Sequence, residues 1–293
     1  MPDAAEQPAI GLIGLGLLGK AIASRLIGAG HIVYGCDIDP AASEAAAGLG
    51  VAVLPDHGAV ARSCRVMLLS LPNSTVRQDL LWGGGNLAAS LEAGALLLDT
   101  TTGRPDDTEA DAARLAASGV DLVDVCVLAS SRQTAAGEAV LLVGDTEADA
   151  VGYAPVLETF GRTIFYLGQP GAGCRMKLVA NQALGLNRLV LAEALGLAEK
   201  LGLDLDTALA VLQSGPAASR VMETKGARMI ARDFAPEARL AQHAKDVGLI
   251  LELGETCGAD LPVSRLHRDI LARLIEQGYG GEDNSAVARA FRD

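Results

Sequence analysis

Along its first half the chain alternates short, fully apolar runs with longer amphipathic ones. AIGLIGLG (9–16), HIVYGCDID (31–39), RVMLLSLP (65–72), ALLLDTT (95–101), DLVDVCVL (121–128) and AVLLVG (139–144) are the short runs. Hydrophobic residues at successive positions fit strands covered on both faces. Between most of them lie Ala-rich stretches with helical spacing; Ile22, Leu26 and Ile27 share one face of LLGKAIASRLIGAG. Strands alternating with helices predict a parallel, doubly wound sheet.

At LGQPGAG (167–173) the pattern changes. One helical pattern of about 30 residues follows from Cys174, nearly apolar all round at its start. Helices are further expected over 206–212, 239–257 and 264–277. The predicted fold is therefore α/β, an N-terminal doubly wound Rossmann domain (1–170) joined by a long helix to an all-α domain (171–293).

Composition narrows the function. The 293 residues are 50% apolar and 20% charged, with a net charge of −12. No basic run interrupts this balance, so neither nucleic acid nor an anionic membrane surface is an expected partner. No apolar run reaches the roughly 20 residues that span a bilayer, and no signal segment opens the chain. Five scattered cysteines without a CxxC pair point to free thiols in a reducing cytoplasm. The four histidines are isolated as well, so no metal is expected from local spacing. Of these, His31 reads as structural, and a solvated helix face suffices for His243.

The first motif is G-x-G-x-x-G, in the loop Gly14, Leu15, Gly16, Leu17, Leu18, Gly19. In a chain with 34 glycines the spacing alone is weak. Here it lies where a strand turns into a helix at the head of a βαβ pattern, the context of a dinucleotide site. Gly14 allows the tight turn, Gly16 lets a pyrophosphate approach the backbone, and Gly19 lets helix and strand pack closely. Asp37 ends the second strand 37 − 19 = 18 residues after the last glycine. Its carboxylate can accept from ribose hydroxyls and repels a 2′-phosphate. Ile38 follows it, not an arginine, so NAD is expected over NADP. Asp37 as a cap for the turn before Pro40 is the bland alternative.

The second motif is G-x-G-x-x-x-K-x-x-x-N, at Gly171, Gly173, Lys177 and Asn181. Lys177 and Asn181 are four apart and share a helix face. An alcohol oxidation needs its hydroxyl proton removed as hydride leaves. A lysine whose pKa burial lowers can take that proton, or return it in reverse. Lys177 snorkelling to solvent is the alternative. Arg175 faces elsewhere, as a surface or interdomain charge.

With these motifs the chain resembles, over nearly its whole length, the β-hydroxyacid dehydrogenase family, whose members include 3-hydroxyisobutyrate dehydrogenase and tartronate semialdehyde reductase. Its second half resembles the C-terminal part of 6-phosphogluconate dehydrogenase. The family's Leu-Pro turn matches Leu71-Pro72, its Asp-x-Ser-Thr-x-x-Pro segment matches DTTTGRP (99–105), and its later Lys-Asp pair matches Lys245-Asp246. Its closing Gly-x-Gly-x-x-Asp-x-Ser-Ala pattern matches GYGGEDNSA (278–286). The resemblance implies that Lys177 is catalytic and that Asn181 orients the substrate. It also implies that Leu71, Pro72, Thr102 and Lys245 join the glycine loop and Asp37 at the cofactor. An N-cap role is the alternative for Thr102, and a plain surface lysine for Lys245.

One segment departs. The family's Asp-x-Pro-Val-Ser-Gly-Gly holds the substrate carboxylate; this chain has DVCVLASS (124–131), with Cys126 for the proline and Leu128, Ala129 and Ser130 for Ser-Gly-Gly. A small-molecule substrate larger or less polar than 3-hydroxyisobutyrate is expected, with Arg132 or Arg104 as possible anchors. A homodimer or homotetramer is expected, because the long apolar helix is hard to cover otherwise. An imine reductase and a non-catalytic NAD-binding module are the competing functions; Lys177, with Asp37 against the first and Asn181 against the second, argues against them.

Overall fold

The computed structural model describes residues 8–292. They fall into two compact units, dividing after Lys177.

The first unit is built on one eight-stranded sheet. Its strands are β1 (Ile10–Ile13), β2 (Val33–Cys36), β3 (Ala52–Val53), β4 (Val66–Leu69), β5 (Leu96–Asp99), β6 (Asp121–Leu128), β7 (Ala139–Val143) and β8 (Gly161–Tyr166). They lie in the order β3-β2-β1-β4-β5-β6-β7-β8. From β3 to β6 every pair is parallel, and Ile10 registers with Val33 on one side and Val66 on the other. Two central strands thus start side by side, and the loops that follow them, at Gly14 and Ser70, emerge at the same sheet edge.

The sheet is not parallel throughout. β7 runs antiparallel to β6, with Val125 opposite Val143, and β8 pairs parallel with β7. Only residues 129–138 link β6 to β7, and a parallel crossover needs a dozen or more. An apolar run carries no direction, so the pattern alone could not show this. β3 and β8 lie outside the apolar series: β3 is two exposed residues, and β8 shows exposed positions at the sheet edge.

Successive side chains point to opposite faces. Ile10, Leu12, Leu68 and Leu98 pack on one face with Ile22 and Leu26. Ile13, Met67, Leu69 and Leu97 pack on the other with Leu115. The unit's helices are α1 (Leu17–Gly28), α2 (Pro40–Ala47), α3 (His57–Ser63), α4 (Ser74–Trp82), α5 (Pro105–Ala116), α6 (Ser131–Ala135) and α7 (Ala154–Glu158).

The long helix is α8 (Ala172–Lys200), and the division between units falls inside it. The second unit continues with α9 (Leu205–Ser214), α10 (Arg220–Ala231), α11 (Leu240–Cys257), α12 (Pro262–Glu276) and α13 (Arg289–Arg292). The sequence pattern gave no sign of α10. Its only strand-like pairing among the described residues is an isolated bridge between Arg239 and Asp283. Leu191, Leu195, Met229, Leu240, Leu271 and Ala286 form its core. Asp283 ties the C-terminal segment to that core. It is fully buried and accepts from Lys225 Nζ at 2.9 Å, Ser285 Oγ at 2.7 Å and the N–H groups of Glu237 and Ala238. Burial would raise its pKa, but Lys225 and Ser285 hold the carboxyl down to about 2.

Candidate active site

The glycine loop joins β1 to α1. Gly14 has φ +95°, and a Cβ there would lie 2.2 Å from the carbonyl oxygen of Ser70. A Cβ on Gly19 would lie 2.0 Å from the carbonyl oxygen of Gly14. Both positions are closed to any side chain. Around Gly16 nothing lies within 4 Å of a would-be Cβ. Gly16 is also the N-cap of α1, which has neither a side-chain cap nor an acidic first turn. An open approach to uncapped N–H groups, at the positive end of a 12-residue helix, suits a pyrophosphate. The residues present therefore fit the phosphates of a dinucleotide.

Asp37 stands just beyond β2. Its Oδ2 accepts from Leu15 N–H at 2.6 Å and its Oδ1 from Asp39 N–H at 2.9 Å. The cap of α2 is Asp39, not Asp37. Asp37 thus both caps the turn before Pro40, through Asp39 N–H, and links the second strand to the glycine loop through Leu15 N–H. Ile38 beside it is fully exposed.

Beyond β4 and β5 the next two loops are joined to each other. Leu71 N–H donates to Thr101 Oγ1 at 3.3 Å, and Thr101 N–H donates to Asp99 Oδ1 at 3.0 Å. Asp99 is held by Arg77, whose guanidinium is wholly buried and also grips Asp111. Burial opposes the charge on Arg77, and the two carboxylates more than restore it. Thr102 is half-buried, and the cap of α5 is Arg104, followed by Pro105. Thr102 is therefore not the cap of that helix.

The altered segment closes β6. Leu128 and Ala129 are half-buried. Ser130 caps α6 in a reciprocal box, with its hydroxyl accepting from Gln133 N–H and its own N–H donating to Gln133 Oε1 at 2.9 Å. Both polar groups of Ser130 are thus engaged within the turn. Arg132 and Arg104 are exposed.

Asp124 sets the start of α8. Its two carboxylate oxygens accept from Gly171 N–H at 2.8 Å and Cys174 N–H at 2.7 Å. Burial pushes this carboxyl up in pKa, and those N–H groups pull it back. Gly171 has φ +88°, and a Cβ on Gly173 would lie 2.4 Å from the carbonyl oxygen of Leu142. The two glycines of the second motif therefore serve helix geometry and close packing. Lys177 follows on the second turn. It is 8% exposed, and its Nζ donates to the carbonyl oxygen of Val127 at 2.7 Å. It does not snorkel; the ammonium is held beside the residue that precedes Leu128. Arg175 faces away, half-exposed, in ion pairs with Glu109 and Asp106.

In the second unit Asn181 is buried, and its Nδ2 donates to Asp246 Oδ2 at 2.9 Å. Lys245 Nζ lies 3.0 Å from Asp246 Oδ1. His243 is not on a solvated face. It is buried, its ring 5.2 Å from that of His267, with Arg188 Nη2 3.1 Å from its Nε2. Gly185 makes the room, since a Cβ there would lie 2.5 Å from His243 Nε2. Burial first, and Arg188 second, lower the His267 pKa to about 4. His31 contacts the carbonyl oxygen of Pro8.

Three residues that shape these loops, Arg77, Asp111 and Asp124, were not singled out as site residues from sequence. Asp124 opens the altered DVCVLASS segment, so its place was signalled; Arg77 lies in a polar helix, where nothing marks it as buried.

Residues 9–168 match the family model described as the NAD binding domain of 6-phosphogluconate dehydrogenase. Residues 171–291 match that described as NAD-binding of NADP-dependent 3-hydroxyisobutyrate dehydrogenase. The 2-(hydroxymethyl)glutarate dehydrogenase of Eubacterium barkeri is 33% identical over 96% of this chain and 94% of its own length. The 3-sulfolactaldehyde reductase of Escherichia coli (strain K12) is 29% identical over 97% of this chain and 96% of its own. Among solved structures, the Mycobacterium tuberculosis 3-hydroxyisobutyrate dehydrogenase with L-serine superposes with a TM-score of 0.88 at 28% identity, covering 98% of this chain and all of that one.

Proposed function

Because the chain belongs to the β-hydroxyacid dehydrogenase family, and is thus an NAD(P)-dependent oxidoreductase acting on hydroxy acids, we propose that Lys177 is its proton-transfer group and NAD its preferred cofactor. The observation that carries the proposal is the burial of Lys177 with its Nζ anchored on the Val127 carbonyl. Nicotinamide, when bound, supplies the hydride acceptor or donor. As the neutral amine Lys177 takes the proton from the substrate hydroxyl in oxidation, and as the ammonium it gives that proton to the carbonyl oxygen in reduction. Asn181, one turn on, orients the substrate, and Asp246 fixes that amide.

Asp37 supports NAD. Held by Leu15 N–H, its carboxylate is set to accept from ribose hydroxyls and to repel a 2′-phosphate. Leu15, Leu17, Leu18, Leu71, Pro72, Thr102 and Lys245 complete the proposed cofactor contacts.

The substrate we propose is a β-hydroxy acid with a larger or less polar substituent than 3-hydroxyisobutyrate. Leu128 and Ala129 put bulk where relatives offer Ser-Gly, and the Ser130 hydroxyl is engaged in its capping box. The name of the Eubacterium barkeri relative, a β-hydroxy acid bearing a second carboxylate arm, supports the same class. No described helix is long and apolar enough to cross a membrane. A homodimer or homotetramer is supported by Val179, Val190 and Leu197, which are exposed along α8; light scattering is its test. Incubation with NAD and a panel of β-hydroxy acids, followed by NADH fluorescence, tests the function. The competing imine-reductase and non-catalytic readings are not favoured beside relatives named as hydroxy-acid dehydrogenases.

A further inference from the structure

Cys126 and Cys174 are 48 residues apart in sequence, and neither belongs to a metal-ligand spacing. The fold brings their sulfurs to 3.5 Å. Both are completely buried. Cys126 lies on β6, and Cys174 lies in the first turn of α8. The Asp124 carboxylate joins them, with all three ligand atoms within 4.8 Å of one another. The carbonyl oxygen of Thr101 lies 3.9 Å from each sulfur.

We propose that Cys126, Cys174, Asp124 and the Thr101 carbonyl oxygen form a buried binding site for a zinc-class divalent cation. The two sulfurs and the Thr101 oxygen, 3.5, 3.9 and 3.9 Å apart, match one face of a tetrahedron whose centre would lie about 2.1–2.4 Å from each corner, since that distance is about 0.61 of the edge. Zinc sits about 2.3 Å from thiolate sulfur and about 2.0–2.2 Å from carboxylate oxygen, tetrahedrally. The Asp124 carboxylate, within 4.8 Å of both sulfurs, supplies the fourth corner by moving inward. Two thiolates and a carboxylate bring three negative charges to a dication, and the one left over faces the Lys177 charge, whose field reaches Cys126. Asp124 keeps its helix bonds, because each of its oxygens has a second lone pair. Thr108 Oγ1, 3.7 Å from Cys174 Sγ, can support that sulfur from outside the tetrahedron. Occupation would clamp β6 to the first turn of α8.

Cobalt(II) is a coloured stand-in for zinc and reports sulfur ligation directly. The full-length protein carrying Cys257→Ser, which removes the exposed thiol, is titrated with Co²⁺ under a phosphine reductant. The expected result is saturation near one equivalent, with sulfur-to-cobalt charge transfer and the intense visible bands of a tetrahedral centre, all displaced by Zn²⁺. Adding Cys126→Ser or Cys174→Ser, with the fold confirmed by circular dichroism, should abolish the sulfur band and weaken Co²⁺ binding at least tenfold. X-ray absorption of the zinc-loaded wild-type protein should show two sulfur ligands near about 2.3 Å. That measurement needs no variant to fold. Absence of the sulfur band, bands unchanged in either serine variant, or a zinc shell without sulfur overturns the site and leaves a pair of packed thiols bonded to the Thr101 carbonyl.

Discussion

The Nζ of Lys177 donates to the carbonyl oxygen of Val127 at 2.7 Å, across 50 residues of sequence. The acceptor is backbone at the end of β6, and the donor rides on a helix whose first turn Asp124 pins to the same strand. The ammonium is therefore tied to the sheet through its backbone. Any substitution at residues 128–130 changes what stands beside a lysine that stays where it is.

Gly16 and Gly19 separate binding from folding. Gly16→Ala has open space, so its unfolding free energy should change by no more than about 1 kcal/mol, the scale of an N-cap change. Its NAD dissociation constant should rise at least tenfold, because the methyl stands where a pyrophosphate approaches. Gly19→Ala meets a backbone carbonyl and should lose about 1–3 kcal/mol of stability. Urea unfolding and NADH titration check both; unaltered affinity in Gly16→Ala removes the phosphate role.

Cofactor choice rests on Asp37. Wild-type kcat/KM should be higher with NAD than with NADP. Asp37→Ala should cost roughly tenfold with NAD, the worth of one or two hydrogen bonds, and should narrow the gap to NADP. Steady-state kinetics with both cofactors decide it, and a wild-type preference for NADP would be fatal to the assignment.

Acid should weaken the helical unit through His267. Its folded pKa, about 4, lies below the ordinary histidine value of 6.5, so the unfolded chain binds more protons between those values. The stabilisation is complete above pH 6.5 and is lost as pH falls towards 4. Its full size is about 3.5 kcal/mol as an order of magnitude, from the fall from 6.5 to about 4 at about 1.4 kcal/mol per pH unit. Urea midpoints at pH 7 and pH 5 should therefore differ more in wild type than in His267→Gln. Equal slopes would show that His267 is not the group responsible.

Much of this architecture was legible in sequence because it rests on local rules. Glycine spacing at a strand–helix junction placed the cofactor loop, and apolar runs placed six of the eight strands. Other features depend on contacts distant in sequence. The direction of β7 follows from the length of a link, and β8 is too exposed to show an apolar run. His243 reads as a surface residue and nothing marks Arg77 as buried, because a polar side chain on a helix is usually solvated; carboxylate partners bury Arg77, and the space left by Gly185 admits His243. Ser130, in the segment that the resemblance sets against the substrate, also caps α6 through Gln133, a role set by the turn that follows it.

Leu128 and Ala129 should set substrate size. Wild-type enzyme is expected to oxidise 3-hydroxyisobutyrate and D-glycerate weakly and a larger β-hydroxy acid about 10–200-fold better in kcat/KM, the worth of one or two buried methylenes. Leu128→Ser combined with Ala129→Gly should move preference back towards the small acids. If 3-hydroxyisobutyrate already outperforms every larger analogue on the wild-type enzyme, the segment does not act this way.

The most direct measurement is NADH formation from NAD across a panel of β-hydroxy acids, run in parallel on wild type and Lys177→Ala. Wild type should turn over at least one substrate. Lys177→Ala, folded and still binding NAD, should lose on the order of 10²–10⁴ in kcat, the usual contribution of a positioned proton-transfer group. Near wild-type turnover in the folded Lys177→Ala variant would contradict the assignment of Lys177.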